Sequence, residues 1–304
     1  MSRRVMLTGA SSGIGRACAV RFARRGDRLL LMARGAGPLE ETRRECLAAG
    51  APEVVVHPAD VADHTAVEAA VDRAVAEFGG LAIVVHAAAV AAYGRLQDVP
   101  VEVFDAVIDT DVKGSAHVAR AALRHFRTQE RGTLIFLGSV LGRMTTPFMS
   151  SYGVSKWAVR SLARALLQEN LDLPDVHVCE VWPGGVNTPV YQQSGNYAGR
   201  VGRPPPPVVS ADRVAAAVER TADHPKPRTM VGLFNPIMMI GFGAFPWVFD
   251  RLVVPLMSRI GIGREPAAPG PGNVLAPRPR LNATDGPWRG PLGLRRRKSD
   301  GGKP

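Results

Sequence analysis

Apolar runs and helical patterns alternate from the start of this 304-residue chain to about residue 234. Strand-length apolar runs occur at 4–8, 28–33, 54–58, 81–86, 133–139 and 177–182, with a seventh near 228–234. Helical spacing separates them at 13–25, 38–49, 65–78, about 100–127, 151–171 and 210–223. Continuously apolar strands that alternate with helices are typical of a parallel sheet covered on both faces. We therefore predict one α/β domain over residues 1–234, with a doubly wound parallel sheet of about seven strands.

A glycine-rich loop, Thr-Gly-Ala-Ser-Ser-Gly-Ile-Gly, connects the first strand to the first helix. Its candidate cofactor contacts are Gly9, Ser11, Ser12, Gly13, Ile14 and Gly15. The three glycines allow the backbone to approach a pyrophosphate, and the amides that begin the helix meet its charge. The two serine hydroxyls are further donors. Strand, loop and helix in this order are the context that a dinucleotide-binding site requires.

Tyr152 and Lys156 form a second candidate site on a predicted helix. Residues four apart lie on one helix face, so the Lys156 ammonium is expected beside the Tyr152 phenol, where it favours the ionised form of the phenol. On spacing alone such a pair is usually a solvated helix face. Together with the glycine loop, however, it indicates a nicotinamide-dependent oxidoreductase with tyrosine as the acid/base group.

The order of these motifs and several others resembles the classical short-chain dehydrogenase/reductase family. The further matching segments are Asp60-Val61 after the third strand, an altered segment at 86–89, Ser139 at the end of the fifth strand, and Pro183 to Thr188. The resemblance covers about residues 3–234. It implies a Rossmann-type fold and hydride transfer between a nicotinamide and a carbonyl or alcohol.

The resemblance also implies roles for individual residues. Ser139 would hydrogen-bond the substrate carbonyl, Tyr152 would donate the proton, and Lys156 would hold the nicotinamide ribose and lower the pKa of the tyrosine. Asp60 would bind the adenine amino group while Val61 packs on the ring. The carboxamide end of the cofactor would contact Val186 and Thr188.

Arg34 ends the second strand, where the family places its cofactor-selecting residue. An acidic side chain there binds the ribose hydroxyls of NAD, whereas an arginine pairs with the additional phosphate of NADP. A basic residue at this place implies NADP(H) in preference to NAD(H), with Arg16 as a second candidate cation. A solvent-exposed charge at a strand end is the alternative interpretation of Arg34.

Two positions depart from the family pattern. His86-Ala87-Ala88-Ala89 replaces Asn-Asn-Ala-Gly after the fourth strand, and Asp111 stands where the family has an asparagine that bends a helix. The carbonyl of that asparagine normally holds a proton-relay water, so Asp111 is a candidate catalytic residue. His86 is either a contact to the cofactor ribose or a polar group satisfied at a strand end.

An uncharged stretch of 21 residues follows, from Thr229 to Phe249. Its length would formally cross a bilayer, but a strand at its start and later Gly and Pro residues argue against a continuous span. We expect an apolar helical extension over residues 235–263. It could be a lid over an apolar substrate cleft, a membrane-surface anchor, or a partner interface.

The net charge of +11 invites a nucleic-acid hypothesis, but much of the excess is local. Residues 264–304 carry nine Lys or Arg against three Asp or Glu, and fifteen of these 41 residues are Pro or Gly. That composition predicts a disordered basic tail rather than a specific nucleic-acid site. Its Arg295-Arg296-Arg297-Lys298 cluster is the other candidate contact for anionic lipid.

The remaining composition favours a cytoplasmic enzyme without a structural metal. Cys18, Cys46 and Cys179 lack metal-ligand spacing, and their odd number favours free thiols in a reducing compartment. The first strand begins too near Met1 to leave room for a signal peptide. The expected function is NADP(H)-dependent oxidoreduction of a small, fairly apolar carbonyl or alcohol by a homo-oligomer. The alternative is an NADPH-binding regulatory or scaffold protein with little turnover.

Overall fold

The computed structural model describes residues 2–295 of the chain. Its central sheet contains seven parallel strands: β1 (Arg4–Thr8), β2 (Arg28–Ala33), β3 (Val54–Pro58), β4 (Ile83–His86), β5 (Gly132–Leu137), β6 (Val176–Pro183) and β7 (Arg228–Val231). Their spatial order is β3-β2-β1-β4-β5-β6-β7. The order reverses between β1 and β4, and this reversal creates the crevice where doubly wound folds bind ligands. The predicted fold class is confirmed.

The helices are α1 (Gly13–Arg24), α2 (Ala36–Ala49), α3 (His64–Phe78), α4 (Val101–Ile108), α5 (Gly114–Gln129), α6 (Ser150–Glu169), α7 (Val190–Gln193), α8 (Ala211–Asp223), α9 (Asn235–Ala244) and α10 (Pro246–Leu256). Helices α1, α2 and α8 pack on one face of the sheet, whereas α3, α5 and α6 pack on the other. The strands are therefore buried from both sides, which explains why their sequences are continuously apolar.

The long helix expected near 100–127 is interrupted. A π-helical turn, Asp109–Lys113, separates α4 from α5 and places Asp111 at its centre. Single π turns commonly occur at functional sites because they redirect one or two residues. The bend that the family obtains with asparagine is therefore present here with aspartate.

Helices α9 and α10 form a hairpin that follows the last strand of the sheet. The inner residues Phe249, Val253 and Met257 are buried in an apolar cluster with Met144 and Met149. Among residues 2–295, no helix is long and apolar enough to cross a membrane. The uncharged stretch is instead divided among β7, α9 and the start of α10.

The segment 264–295 differs from the disordered tail that its composition predicts. Val274 and Trp288 are 2% and 5% exposed, and the backbone of Gly270 exchanges two hydrogen bonds with Asn196. Proline and glycine lower the propensity for regular structure, but they do not prevent an extended segment from docking through tertiary contacts. The basic cluster beyond Arg295 lies outside the described residues, and the segment boundaries at 234 and 263 stay predictions.

Candidate active site

One groove of about 240 Å³ opens at the carboxyl ends of the strands, beside the reversal of strand order. The predicted residues that line it are Gly9, Ser11, Ser12, Gly13, Ile14, Gly15, Arg34, Asp60, Val61, Ser139, Tyr152, Lys156, Val186 and Thr188. Gly9 and Thr188, 179 positions apart in the sequence, thus meet at one edge of the sheet, because parallel strands bring their carboxyl ends together. His86 and Asp111 lie behind the groove wall rather than on its surface.

The glycine loop has the close packing that a dinucleotide cradle needs. Gly9 has a φ of +65°, and a Cβ there would lie 2.7 Å from the amide nitrogen of Ala88. A Cβ on Gly15 would collide with the carbonyl oxygen of Gly9. Only glycine therefore allows the loop, the start of α1 and the end of β4 to approach one another this closely.

Three of the four catalytic candidates, Ser139, Tyr152 and Lys156, come together from two elements. Ser139 follows β5, and its hydroxyl accepts a hydrogen bond of 3.1 Å from the amide of Leu141. Tyr152 and Lys156 lie one turn apart on α6, with the Lys156 ammonium 5.2 Å from the centre of the tyrosine ring. The ammonium is also 3.5 Å from the carbonyl oxygen of Leu137. Helical spacing and the end of a buried strand thus produce the predicted grouping.

The environment of Tyr152 keeps its phenol protonated. Burial raises the pKa of Tyr152, and the negative charge of Asp111 raises it further. The Lys156 ammonium and hydrogen bonding with Ser139 act in the opposite direction but do not outweigh burial. Lys156 therefore lowers the pKa relative to what burial alone would give, without bringing it below the usual value. A protonated phenol is the form that donates a proton to a substrate oxygen.

Asp111 is a buried partner of Lys156. Its Oδ2 lies 3.7 Å from the lysine Nζ, while its Oδ1 accepts a hydrogen bond of 2.8 Å from the amide of Val90. The hydroxyl of Ser155 donates to Oδ2 at 3.0 Å. Burial raises the pKa of Asp111, against the opposing effects of Lys156 and these hydrogen bonds. Burial alone would lower the pKa of Lys156, but Tyr152 and Asp111 together raise it.

His86 takes part in a hydrogen-bonded chain beneath the groove. Thr8 Oγ1 accepts two backbone amides, so its proton is free to point at His86 Nδ1, 2.8 Å away. The Nε2–H then donates to Ser115 Oγ at 3.0 Å, and Ser115 donates to the carbonyl of Asp111 at 2.5 Å. Burial lowers the pKa of His86 to about 3, and Lys156 adds to this effect. The arrangement favours the second interpretation of His86, a polar group satisfied at a strand end.

The two candidate phosphate cations have different surroundings. Arg34 lies in the groove wall with 20% of its side chain exposed. Arg16 does not line the groove, because its guanidinium makes two hydrogen bonds to Glu45 at 3.0 and 2.6 Å on α2. The expectation that Arg16 assists cofactor binding is therefore not supported by its position.

Sequence reasoning missed several residues that line the groove. They include Gln193 from α7 and Asn273, Pro277, Arg278, Pro279 and Asn282 from the docked tail. Asn282 accepts a hydrogen bond of 2.7 Å from Gln193 Nε2. The one available signal in the sequence was the presence of large apolar residues, such as Val274 and Trp288, within a Pro/Gly-rich segment. Both are buried against the domain.

Comparison with known proteins decides the family. The family model described as short chain dehydrogenase matches residues 3–197. The chain belongs to the classical short-chain dehydrogenase/reductase family. It is therefore an NAD(P)-dependent oxidoreductase that acts on CH–OH groups.

Individual relatives support the same conclusion. The chain is 36% identical over 195 residues to 2-(R)-hydroxypropyl-CoM dehydrogenase of Xanthobacter autotrophicus. This alignment covers 63% of this chain and 78% of that protein. It is 30% identical over 271 residues to the uncharacterized oxidoreductase YxnA of Bacillus subtilis, covering 87% and 75%. An alcohol dehydrogenase from Thermococcus sibiricus, solved with 5-hydroxy-NADP, superposes with a TM-score of 0.66 at 28% identity. That match covers 76% of this chain and 96% of the other.

We predict that Asp111→Asn shifts the pH dependence of alcohol oxidation to lower pH. The negative charge of Asp111 raises the pKa of Tyr152, and oxidation needs the phenolate, whose fraction rises with pH through that pKa. Removal of that charge therefore lowers the pKa of Tyr152. The pH–rate profile of kcat for both proteins measures the shift.

The matched control is Asp109→Asn, in the same π turn but 45% exposed and paired with Lys113. It should leave the profile unchanged. A profile that does not move in Asp111→Asn, with the melting temperature preserved, would show that the carboxylate does not influence the phenol.

Proposed function

We propose that this chain is an NADP(H)-dependent oxidoreductase that transfers a hydride between the nicotinamide and the carbonyl or secondary alcohol of a small, fairly apolar substrate. The observation that carries the cofactor preference is Arg34. This cation lies in the groove wall at the end of β2, where NAD-binding members of the fold carry an acid. The structural neighbour from Thermococcus sibiricus was solved with an NADP derivative, which agrees with the proposal.

The residues present suit a dinucleotide. The glycine loop approaches the groove without side chains, the amides at the start of α1 face it, and Asp60 and Val61 lie on the side of β3. A helix N-terminus favours the negative charge of a pyrophosphate. Arg34 adds a planar cation suited to a ribose phosphate.

The catalytic roles follow from the positions of three side chains. The bound nicotinamide supplies or accepts the hydride at the substrate carbon. Tyr152, whose phenol stays protonated, donates the proton to the carbonyl oxygen during reduction. Ser139 donates a hydrogen bond to the same oxygen, and Lys156 stabilises the negative charge that develops on the phenol.

An apolar wall beside Tyr152 favours an apolar substrate. Tyr152 packs against a cluster that contains Val140, Met144 and Met149 from the domain and Phe249 and Val253 from α10. The hairpin thus packs close to Tyr152, which is the observation that supports the lid hypothesis. A polar substrate would leave its hydrogen-bonding groups unpaired against this wall, at a cost of about 1–3 kcal/mol each.

One observation supports the alternative function, an NADPH-binding regulatory or scaffold protein with little turnover. Asp111 places a carboxylate 3.7 Å from Lys156, and its charge opposes ionisation of Tyr152. A protein of this kind would bind NADPH without consuming it. Turnover with any carbonyl substrate separates the two functions.

Arg34→Asp should move the preference from NADPH toward NADH. The change replaces a phosphate-binding cation with a ribose-binding acid, and the loss of a charge-assisted contact costs about 1.5–3 kcal/mol, or roughly ten- to a hundredfold in affinity. Titration of the native chain and of Arg34→Asp with NADPH and with NADH measures, for each protein, the ratio of the two dissociation constants.

Arg44→Asp is the matched control, since Arg44 is an exposed cation on α2 outside the groove. The ratio of its NADPH and NADH dissociation constants should equal that of the native chain. Equal native affinity for NADH and NADPH would contradict the assignment of Arg34.

The outer face of the hairpin supports a second part of the proposal, contact with a membrane surface. Ile237, Ile240, Phe245, Trp247 and Leu252 are each between 58% and 73% exposed. Two exposed arginines, Arg251 and Arg259, lie on the same segment. Exposed aromatic and aliphatic side chains with nearby cations are typical of interfacial binding to anionic lipid. The homo-oligomer and the cytoplasmic location stay predictions.

We predict that vesicles of phosphatidylcholine and phosphatidylserine sediment the native protein and that Trp247→Ser weakens this binding roughly ten- to a hundredfold, because an aromatic side chain buried in the lipid contributes about 1.5–3 kcal/mol. Leu171→Ser is the control, since Leu171 is 73% exposed just after α6 and outside the hairpin. Equal effects of the two changes, or no sedimentation of the native protein, would contradict the lipid contact.

A further inference from the structure

The docked tail reaches into the groove that the proposed function assigns to the cofactor. We propose that residues 273–283, here called the strap, are an intramolecular competitor of the dinucleotide, so that cofactor binding requires the strap to leave. This inference rests on the proposed function, because the groove must be a cofactor site for the strap to compete there. The family model matches residues 3–197, so the strap lies outside the part of the chain that the model describes.

The strap occupies donors of the glycine loop. The amide of Gly13 donates to the carbonyl oxygen of Ala283 at 2.8 Å, and the hydroxyl of Ser12 donates to the same oxygen at 3.0 Å. An amide and a hydroxyl each have one proton to donate. With Ala283 in place, neither group can donate to a phosphate.

The strap also engages the cation that selects the cofactor. Arg34 donates from Nη1 to the carbonyl of Val274 at 3.1 Å and from Nη2 to the carbonyl of Asn273 at 2.5 Å. Guanidinium has five donors, so these bonds do not exhaust it. They nevertheless direct its two terminal nitrogens toward the chain's own backbone instead of toward a ribose phosphate.

The polarity of these contacts distinguishes competition from closure over a bound cofactor. A segment that helped to bind a pyrophosphate would turn hydrogen-bond donors toward the groove. The backbone of the strap instead turns the carbonyl oxygens of Asn273, Val274 and Ala283 toward groove donors, as a phosphate would. The side-chain amide of Asn282 also donates to Ser11 Oγ, over a longer distance of 3.4 Å. The backbone of the strap therefore resembles the ligand rather than the site.

Side-chain anchors hold the strap in the groove. Val274 is 2% exposed within a cluster that includes Val90 and Val103. Beyond the strap, Trp288 is 5% exposed, with its ring 5.1 Å from that of Tyr191. The amide of Asn273 donates to the carbonyl of Gln193 at 2.7 Å. A tethered segment with such anchors competes at a high effective concentration.

The size of the groove agrees with partial occupation. Pockets for drug-sized ligands measure about 300–1,000 Å³, whereas this groove measures about 240 Å³ with Asn273, Pro277, Arg278, Pro279 and Asn282 in its wall. A dinucleotide is larger than a typical drug, so the groove must widen to admit it. The strap is the part of the wall whose removal leaves the sheet and its helices in place.

The expected change in cofactor affinity depends on the fraction of time for which the strap occupies the groove. A site that is free for a fraction f of the time binds with an apparent dissociation constant raised by 1/f. A strap seated for about 90–99% of the time would weaken cofactor binding roughly ten- to a hundredfold.

The test measures NADPH affinity by calorimetry in four proteins: the full chain, a truncation after Ala267, a truncation after Arg295, and full-length Asn282→Ala. The truncation after Ala267 should lower the dissociation constant about tenfold or more, whereas the truncation after Arg295, which keeps the strap, should not change it. Asn282→Ala loses the hydrogen bonds to Gln193 and Ser11 but keeps the anchors Val274 and Trp288. Its NADPH affinity should therefore lie between that of the full chain and that of the truncation after Ala267. It also provides the answer if the shorter chain fails to fold.

Trypsin cleavage gives an independent readout. Arg280 is an exposed residue within the strap and precedes Leu281, whereas Pro279 blocks cleavage after Arg278. Saturating NADPH should accelerate cleavage after Arg280 in the full chain, because a displaced strap becomes more accessible to the protease. Protection by NADPH would show that the strap closes over the cofactor, and it would overturn the proposal.

The outcomes separate this proposal from the proposed function. Equal or weaker NADPH binding after removal of the strap, in a protein that still binds, overturns only the competition. If no variant binds NADPH or NADH, the assignment of the groove itself fails.

Discussion

The site depends on the interactions that stabilise the buried ammonium of Lys156. An ammonium inside a protein is costly unless it is paired and hydrogen-bonded. Here it is 4% exposed, with Asp111 at 3.7 Å and the carbonyl of Leu137 at 3.5 Å. The π turn positions the aspartate, the end of β5 supplies the carbonyl, and α6 holds the lysine one turn from Tyr152. The charge that assists the phenol is thus stabilised by three separate elements.

The carboxylate that stabilises Lys156 also opposes ionisation of Tyr152. The resulting balance, in which burial and Asp111 outweigh Lys156 and Ser139, keeps the phenol protonated. The protonated phenol is the form that donates a proton in carbonyl reduction, whereas alcohol oxidation requires the phenolate. The hydrogen-bonded chain from Thr8 through His86 to Ser115 supports the same region, because it ends on the carbonyl of Asp111.

The sequence was sufficient for the parts whose signals are local or periodic. Continuous apolar runs predicted all seven strands within a few residues, and the glycine loop and the Tyr152–Lys156 spacing predicted the groove. The π turn was not predicted: the family resemblance implied a helix bend at the position of Asp111, and nothing in the composition of 109–113 distinguishes this turn from an ordinary helix. The docking of the tail was missed because Pro/Gly content reports on local propensity, whereas Val274 and Trp288 dock through contacts distant in sequence.

The central claim is that Ser139, Tyr152 and Lys156 form a working carbonyl-reducing site supplied by NADPH. Its most direct measurement is NADPH oxidation, at saturating cofactor, with a panel of apolar ketones, aldehydes and sterols, for the native chain and Tyr152→Phe. The account predicts turnover by the native chain and a loss of about 10²–10⁴-fold in kcat for the variant, with NADPH affinity nearly unchanged. NADPH binding without oxidation by any substrate, or equal kcat in both proteins, would contradict it.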